Sequence, residues 1–216
     1  MNKNENFVTS IPDNYVLIKH INAKDNHKTM LLLTIFSFIP MLIIEPILYF
    51  VAKKYFSLNI GENFVELLFV PIILLISLIL YVILHELTHG VTYKIFTGAK
   101  LTYGFNLAVA FCGVPDIYVK RKTSMCALLA PFVIFSIILI PLTIILLFVN
   151  PLYALASGIV LSSHLGGCDG DLLWVYYYLI KYKNLNTLMR DTGPEQWLYA
   201  PRIEVEACGI KILNEK

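Results

Sequence analysis

Long apolar stretches separated by short polar ones dominate this chain. Four of them have the length of a membrane crossing, which takes about 20 mostly apolar residues. They are residues 30–51, 64–93, 125–149 and 152–180. The last is interrupted by the polar run from His164 through Gly166, Gly167, Asp169 and Gly170 to Asp171. A shorter apolar run, residues 101–119, is punctuated by Gly104, Asn106, Gly113, Pro115 and Asp116 and is rich in β-forming residues. It reads as a short β-hairpin or re-entrant element between the second and third helices, where irregular backbone must be shielded by protein or line a wet cavity. After Lys181 the chain is polar, with a turn at Gly193-Pro194 and a strand-like stretch at residues 203–207. The pattern predicts an all-α membrane protein of about four transmembrane helices plus that hairpin. Residues 1–29 form an N-terminal tail, 30–180 the membrane domain and 181–216 a C-terminal tail.

Composition supports the membrane class: 57% of the 216 residues are hydrophobic and 15% charged, against about 45–50% and about 25% in soluble domains. Lysine and arginine gather before residue 30, between 94 and 122, and after 180; the first connection holds only Lys53 and Lys54. By the positive-inside rule this bias puts both tails in the cytoplasm of a multi-pass cell-membrane protein. The polar start gives no cleavable signal pattern, so the first apolar stretch is retained as a span. A net charge of +2 with no basic stripe excludes nucleic acid as a partner. Cys112, Cys126, Cys168 and Cys208 form no C-x-x-C pair, so neither a thiolate zinc site nor a redox motif is indicated.

The chemistry concentrates in His85-Glu86-Leu87-Thr88-His89, at the end of the second apolar stretch. On a helix, His85 and His89 lie one turn apart on one face and can bind one Zn²⁺. Glu86 beside them can take a proton from a water whose pKa the metal lowers to about 7. The competing reading is a chance match, or two histidines lining a polar gap. Against it stands the cost of ionisable residues within a span, about 2.5–3.5 kcal/mol each, which makes them functional as a rule. Two histidines and a carboxylate would also suit Fe(II).

A catalytic zinc needs a third protein ligand and an open position. His20 and His27 fall in the N-terminal tail and read as surface residues. His164, Asp169 and Asp171 fall in the fourth stretch. His89 lies about five residues, or about 7–8 Å, from the polar boundary at Lys94, and Asp171 about ten residues, or about 15 Å, from that at Lys181. The two groups can therefore meet at similar depth. Gly166, Gly167 and Gly170 would let the helix unwind there.

His-Glu-x-x-His at the end of a span, a β-like segment after it and an Asp in a later span resemble the site-2 protease class of intramembrane metalloproteases. The chain is more similar still to a family of small bacterial membrane proteins described as putative zincin peptidases, of unknown function. The matching residues are His85-Glu-Leu-Thr-His89-Gly90, Gly98-Ala99, Ala130-Pro131, Gly170-Asp171-Leu172 and Asp191. The resemblance implies a zinc peptidase with His85, His89 and Asp171 as metal ligands, Asp169 and His164 as alternatives, and Glu86 as catalytic base. Its substrate would be a membrane-anchored protein or peptide cut near the cytoplasmic face. The Asn and Pro that precede the Asp in the site-2 pattern are missing here.

Two rival classes use the same residues: a metal-binding membrane protein without hydrolysis (a transporter or sensor), which would not need Glu86, and a scaffold with a decayed motif, which would hold no zinc. Of the remaining polar residues, Glu45 is a carboxylate inside the first span, placed either to face the site or to sit near the outer interface. Glu66 reads as a helix-start residue. Tyr176, Tyr177 and Tyr178 read as an interfacial aromatic belt.

Overall fold

The computed structural model describes residues 6–22, 26–56, 58, 64–105 and 110–214. Most of the fold is helical, and a small antiparallel sheet accompanies the helices. Among the described residues, three helical stretches are long and apolar enough to cross a membrane: His27–Tyr55, Leu68–Thr97 and Arg121–Val149. The first comprises α1 (His27–Ser37) and α2 (Ile39–Tyr55), divided at Phe38. Pro40 explains the division, since it has no N–H to bond back to the preceding turn. The second lies within α3 (Phe64–Thr97), whose first turn carries Glu66, and the third is α4 (Arg121–Val149). Their large side chains face outward: Leu42 is 73% and Phe148 74% exposed. Exposed apolar surface of this extent marks a face suited to a membrane or to another protein.

The fourth expected span is not one helix. α5 (Pro151–Gly167) begins at Asn150, whose side chain accepts from the Leu152 N–H, and stops at Cys168. A new helix, α6 (Asp169–Tyr176), then runs into a single π-helical turn over Tyr177–Lys181. The break at Cys168 directly follows Gly166-Gly167, where helix propensity is about 1 kcal/mol per residue below that of alanine.

The chain forms two compact units. The helical unit holds Leu31–Leu84 and Pro131–Gly170. Its core is Tyr81, Phe135, Leu139, Val160 and Leu161, with a second cluster of Ala52, Leu147 and Ala154. Two of its polar contacts are internal to it. Thr143 and Ser157 share a hydrogen bond of 2.8 Å, and Ser162 donates to Glu45 at 3.3 Å.

The other unit holds Met1–Met30, His85–Ala130 and Asp171–Lys216. It contains β1 (Phe7–Val8), β2 (Tyr15–Asn22), β3 (Thr102–Phe105), β4 (Ala110–Gly113), β5 (Tyr118–Lys120), β6 (Leu188–Asp191), β7 (Glu195–Pro201) and the short α7 (Arg202–Ala207). β3 and β4 pair as the expected hairpin, Tyr103 opposite Cys112; Asn106, assigned to it from the sequence, lies outside the described residues. The other five strands form one antiparallel sheet in the order β1-β5-β6-β7-β2. An all-α fold is thus corrected: the stretches expected as polar tails supply four of these five strands. Residues 203–207, expected as a strand, lie in α7.

One face of the sheet buries Ile18, Ile21, Met189, Leu198 and Ala200 against Leu128, Trp174, Val175 and Tyr178. Burying each such large side chain contributes about 1.5–3 kcal/mol. Tyr178, expected in an aromatic belt, is fully buried there and donates to Met189 Sδ. The opposite face carries Leu17, Leu188 and Tyr199. His20, expected on the surface, stacks on Trp197 with ring centroids 5.0 Å apart and approaches Glu195 at 3.2 Å.

Candidate metal centre

His85 and His89 project from consecutive turns of α3, each 8% exposed. Their Nε2 atoms are 3.1 Å apart, and each lies 3.4 Å from Asp171 Oδ2 in the first turn of α6. A tetrahedral zinc with bonds of about 2.0–2.1 Å spaces its donors about 3.3 Å apart. The three atoms therefore have the dimensions of one face of a zinc coordination shell, and the donor set, two imidazoles and a carboxylate, suits that ion.

The surroundings fix the donors. His89 Nδ1 lies 2.9 Å from the Ala127 carbonyl on α4. A carbonyl can only accept, so Nδ1 carries the hydrogen and the Nε2 lone pair is free for a metal. Glu86 is half-buried, and its carboxylate accepts from the backbone N–H of Cys112 on β4. The hairpin also lies against the helix just past His89. A side chain at Gly90 would bring Cβ within 1.9 Å of Tyr103 Oη and 3.1 Å of Cys112 Sγ. Gly98, at φ 69°, ends α3 by the left-handed turn that glycine adopts without strain.

A second polar anchor lies one turn beyond His89. The hydroxyl of fully buried Tyr93 donates to Asp191 Oδ2 at 2.9 Å, and Gly193 N donates to Oδ1 at 2.9 Å. The Asp191 carbonyl accepts from Val114 N at 2.7 Å. Burial pushes the Asp191 carboxyl up to about 6 despite these donors. Burial likewise pushes the Cys112 thiol up to about 12, with the charge of Asp191 adding to it.

Of the sequence-predicted residues, the structure brings together His85, His89 and Asp171, with Glu86 next to them on α3. Asp169 and His164 belong to the helical unit. His164 is fully buried there, with Nδ1 3.1 Å from Tyr81 Oη and Nε2 3.1 Å from Ser136 Oγ. Glu45 is held by Ser162 in the same unit. Sequence reasoning missed Tyr93, Tyr103 and the Cys112 amide. Tyr93, four residues past His89 and so on its helical face, carried a detectable signal; a backbone amide carries none.

Residues 78–185, half of the chain, match the family described as putative zincin peptidase, and the chain belongs to that family. The matched stretch includes His85, Glu86, His89 and Asp171 and ends before Asp191. No curated protein and no solved structure matches the chain significantly.

Proposed function

We propose that this member of the zincin peptidase family is a membrane-embedded zinc endopeptidase. His85, His89 and Asp171 hold the metal, and Glu86 is the catalytic carboxylate. The observation that carries the reading is the donor triangle of 3.1–3.4 Å with a glutamate next to it on the same helix. Zinc, when bound, supplies Lewis acidity that polarises the scissile carbonyl and lowers the pKa of water to about 7. The chain's own residues do the rest. Glu86 takes a proton from the attacking water and passes it to the leaving amine. The Cys112 amide holds that carboxylate in place, and the Ala127 carbonyl holds His89 in the tautomer a metal requires. Tyr93 and Asp191 anchor the next turn of α3, keeping both histidines in register.

The substrate is a membrane-anchored protein or peptide cut near the cytoplasmic face. Two features support this. The histidines lie in the C-terminal half of an apolar helix long enough to cross a bilayer. The flanking polar segments carry Lys94, Lys100, Lys120, Arg121 and Lys122, the mark of a cytoplasmic side.

Zinc content and cleavage of a membrane-anchored reporter should be measured on the purified wild type and on Glu86→Gln, His85→Ala and Asp171→Ala. The expected result is one zinc per chain in the wild type and Glu86→Gln, with zinc lost from the other two and cleavage lost from all three. Full cleavage by Glu86→Gln would end the mechanism. Stoichiometric zinc with no Glu86-dependent cleavage would leave a non-hydrolytic metal protein.

A further inference from the structure

Gly90 lies one helical turn beyond Glu86, so the two share a face of α3. A methyl group at Gly90 would overlap the Tyr103 hydroxyl and come 2.8 Å from Tyr103 Cζ and 3.1 Å from Cys112 Sγ. The glycine is thus a socket. Without a side chain there, the tip of Tyr103 rests directly on the helix, on the face that carries the glutamate. The hairpin ladder explains why Tyr103 and Cys112 arrive together. Cys112 turns its amide away from β3 to Glu86, and Val114, two residues on, turns its amide to the Asp191 carbonyl at 2.7 Å. Tyr103 and Cys112 therefore form a pair without mutual backbone hydrogen bonds, the kind whose side chains approach most closely. The Tyr103 hydroxyl donates to the Cys112 sulfur. The end of β4 is also closely packed: a Cβ at Gly113 would lie 2.5 Å from the Thr192 carbonyl carbon and 2.6 Å from Gly193 N. Tyr103 itself is 46% exposed, too much for apolar burial to account for its place against the helix.

We propose that Tyr103 is a positioning residue for Glu86, acting through Cys112. Seated in the Gly90 socket, its hydroxyl fixes the Cys112 side chain, and with it the amide that orients the glutamate carboxylate. The kinetic consequence rests on Glu86 being the catalytic carboxylate; the contact itself does not.

The variants are Tyr103→Phe, which removes one oxygen, and Gly90→Ala, which displaces the hydroxyl from its socket. In metal-free full-length protein, hydrogen exchange resolved to single amides would be compared at Cys112 and at Phe111, whose amide points into the hairpin toward Gly104. Exchange at Cys112 should be about three- to tenfold faster in both variants, with Phe111 unchanged. In zinc-loaded protein, cleavage of the membrane-anchored reporter should fall about ten- to hundredfold in kcat, with KM within about twofold and zinc content unchanged. Exchange at Cys112 at the wild-type rate in Tyr103→Phe overturns the proposal. So does equal acceleration at Cys112 and Phe111, which marks general loosening of the hairpin, or a kinetic effect confined to KM, which marks contact with substrate. A wild type that cleaves nothing would end the peptidase reading, and the exchange rates would still decide whether Tyr103 positions Glu86. If Gly90→Ala does not fold, Tyr103→Phe alone decides.

Discussion

Asp191→Asn tests how the sheet supports the metal centre. The wild-type carboxyl is fully buried, and burial lifts it from 3.8 to about 6. The difference is about two pKa units, worth about 3 kcal/mol at 1.36 kcal/mol per unit. The folded state holds the proton more tightly than the unfolded one. The associated stability is therefore fully present below pH 3.8 and is lost as pH rises through about 6. Asparagine keeps the shape and an acceptor for Gly193 N but does not titrate. Tyr93, Gln196 and the charge of His89 face the group, and all three favour the ionised form, so the shift is what burial leaves after their opposition. Chemical unfolding of wild type and variant, with chelator present, would be followed from pH 3.5 to 8. Other carboxylates titrate in both proteins and cancel in the difference. The variant should gain on the wild type by about 3 kcal/mol across that window. A difference independent of pH, or one that moves in the wild type's favour as pH rises, would refute the reasoning.

Other outcomes follow from the geometry. His164→Asn should cost about 1–3 kcal/mol of stability, because Tyr81 and Ser136 lose a buried partner; thermal unfolding identical to the wild type would contradict those contacts. Gly98→Ala should lower stability by about 1 kcal/mol in thermal unfolding, since its φ of 69° suits only glycine well. At pH 8, iodoacetamide should label exposed Cys208 early and Cys112 far more slowly. With its thiol near 12 in place of 9, Cys112 has about a thousandth of the usual thiolate, and labelling of both cysteines at one rate would contradict that environment.

The histidine pair was legible because helical spacing alone puts residues i and i+4 on one face. The β3–β4 hairpin was legible because glycine, proline and β-forming residues cluster between two helices. The sheet was not. β2 reads Tyr-Val-Leu-Ile-Lys-His-Ile-Asn, without the strict alternation of a half-buried strand, and its partners lie far along the chain: His20 and Glu195 are 175 residues apart. No local window reports such a pairing. The break at Cys168 was visible as glycines, but hydropathy averaged over 20 residues smoothed it into a single span. Asp171 was nameable as a candidate; its 3.4 Å separation from both imidazoles depends on where α6 begins, which propensity fixes only to within a turn.

The remote strand pairing also sets an order of events during biosynthesis. β2 leaves the ribosome well before β7 and cannot pair with it until residues as far along as Glu195, 175 positions after His20, have been made. By then the helix bearing the two histidines has long been made. Tyr93 waits just as long for its acceptor, since Asp191 arrives only with β6. The histidine-bearing turn therefore acquires its final support only once Asp191 has been made, 98 residues after Tyr93, so a chain cut short before β6 would carry the motif without its assembled surroundings.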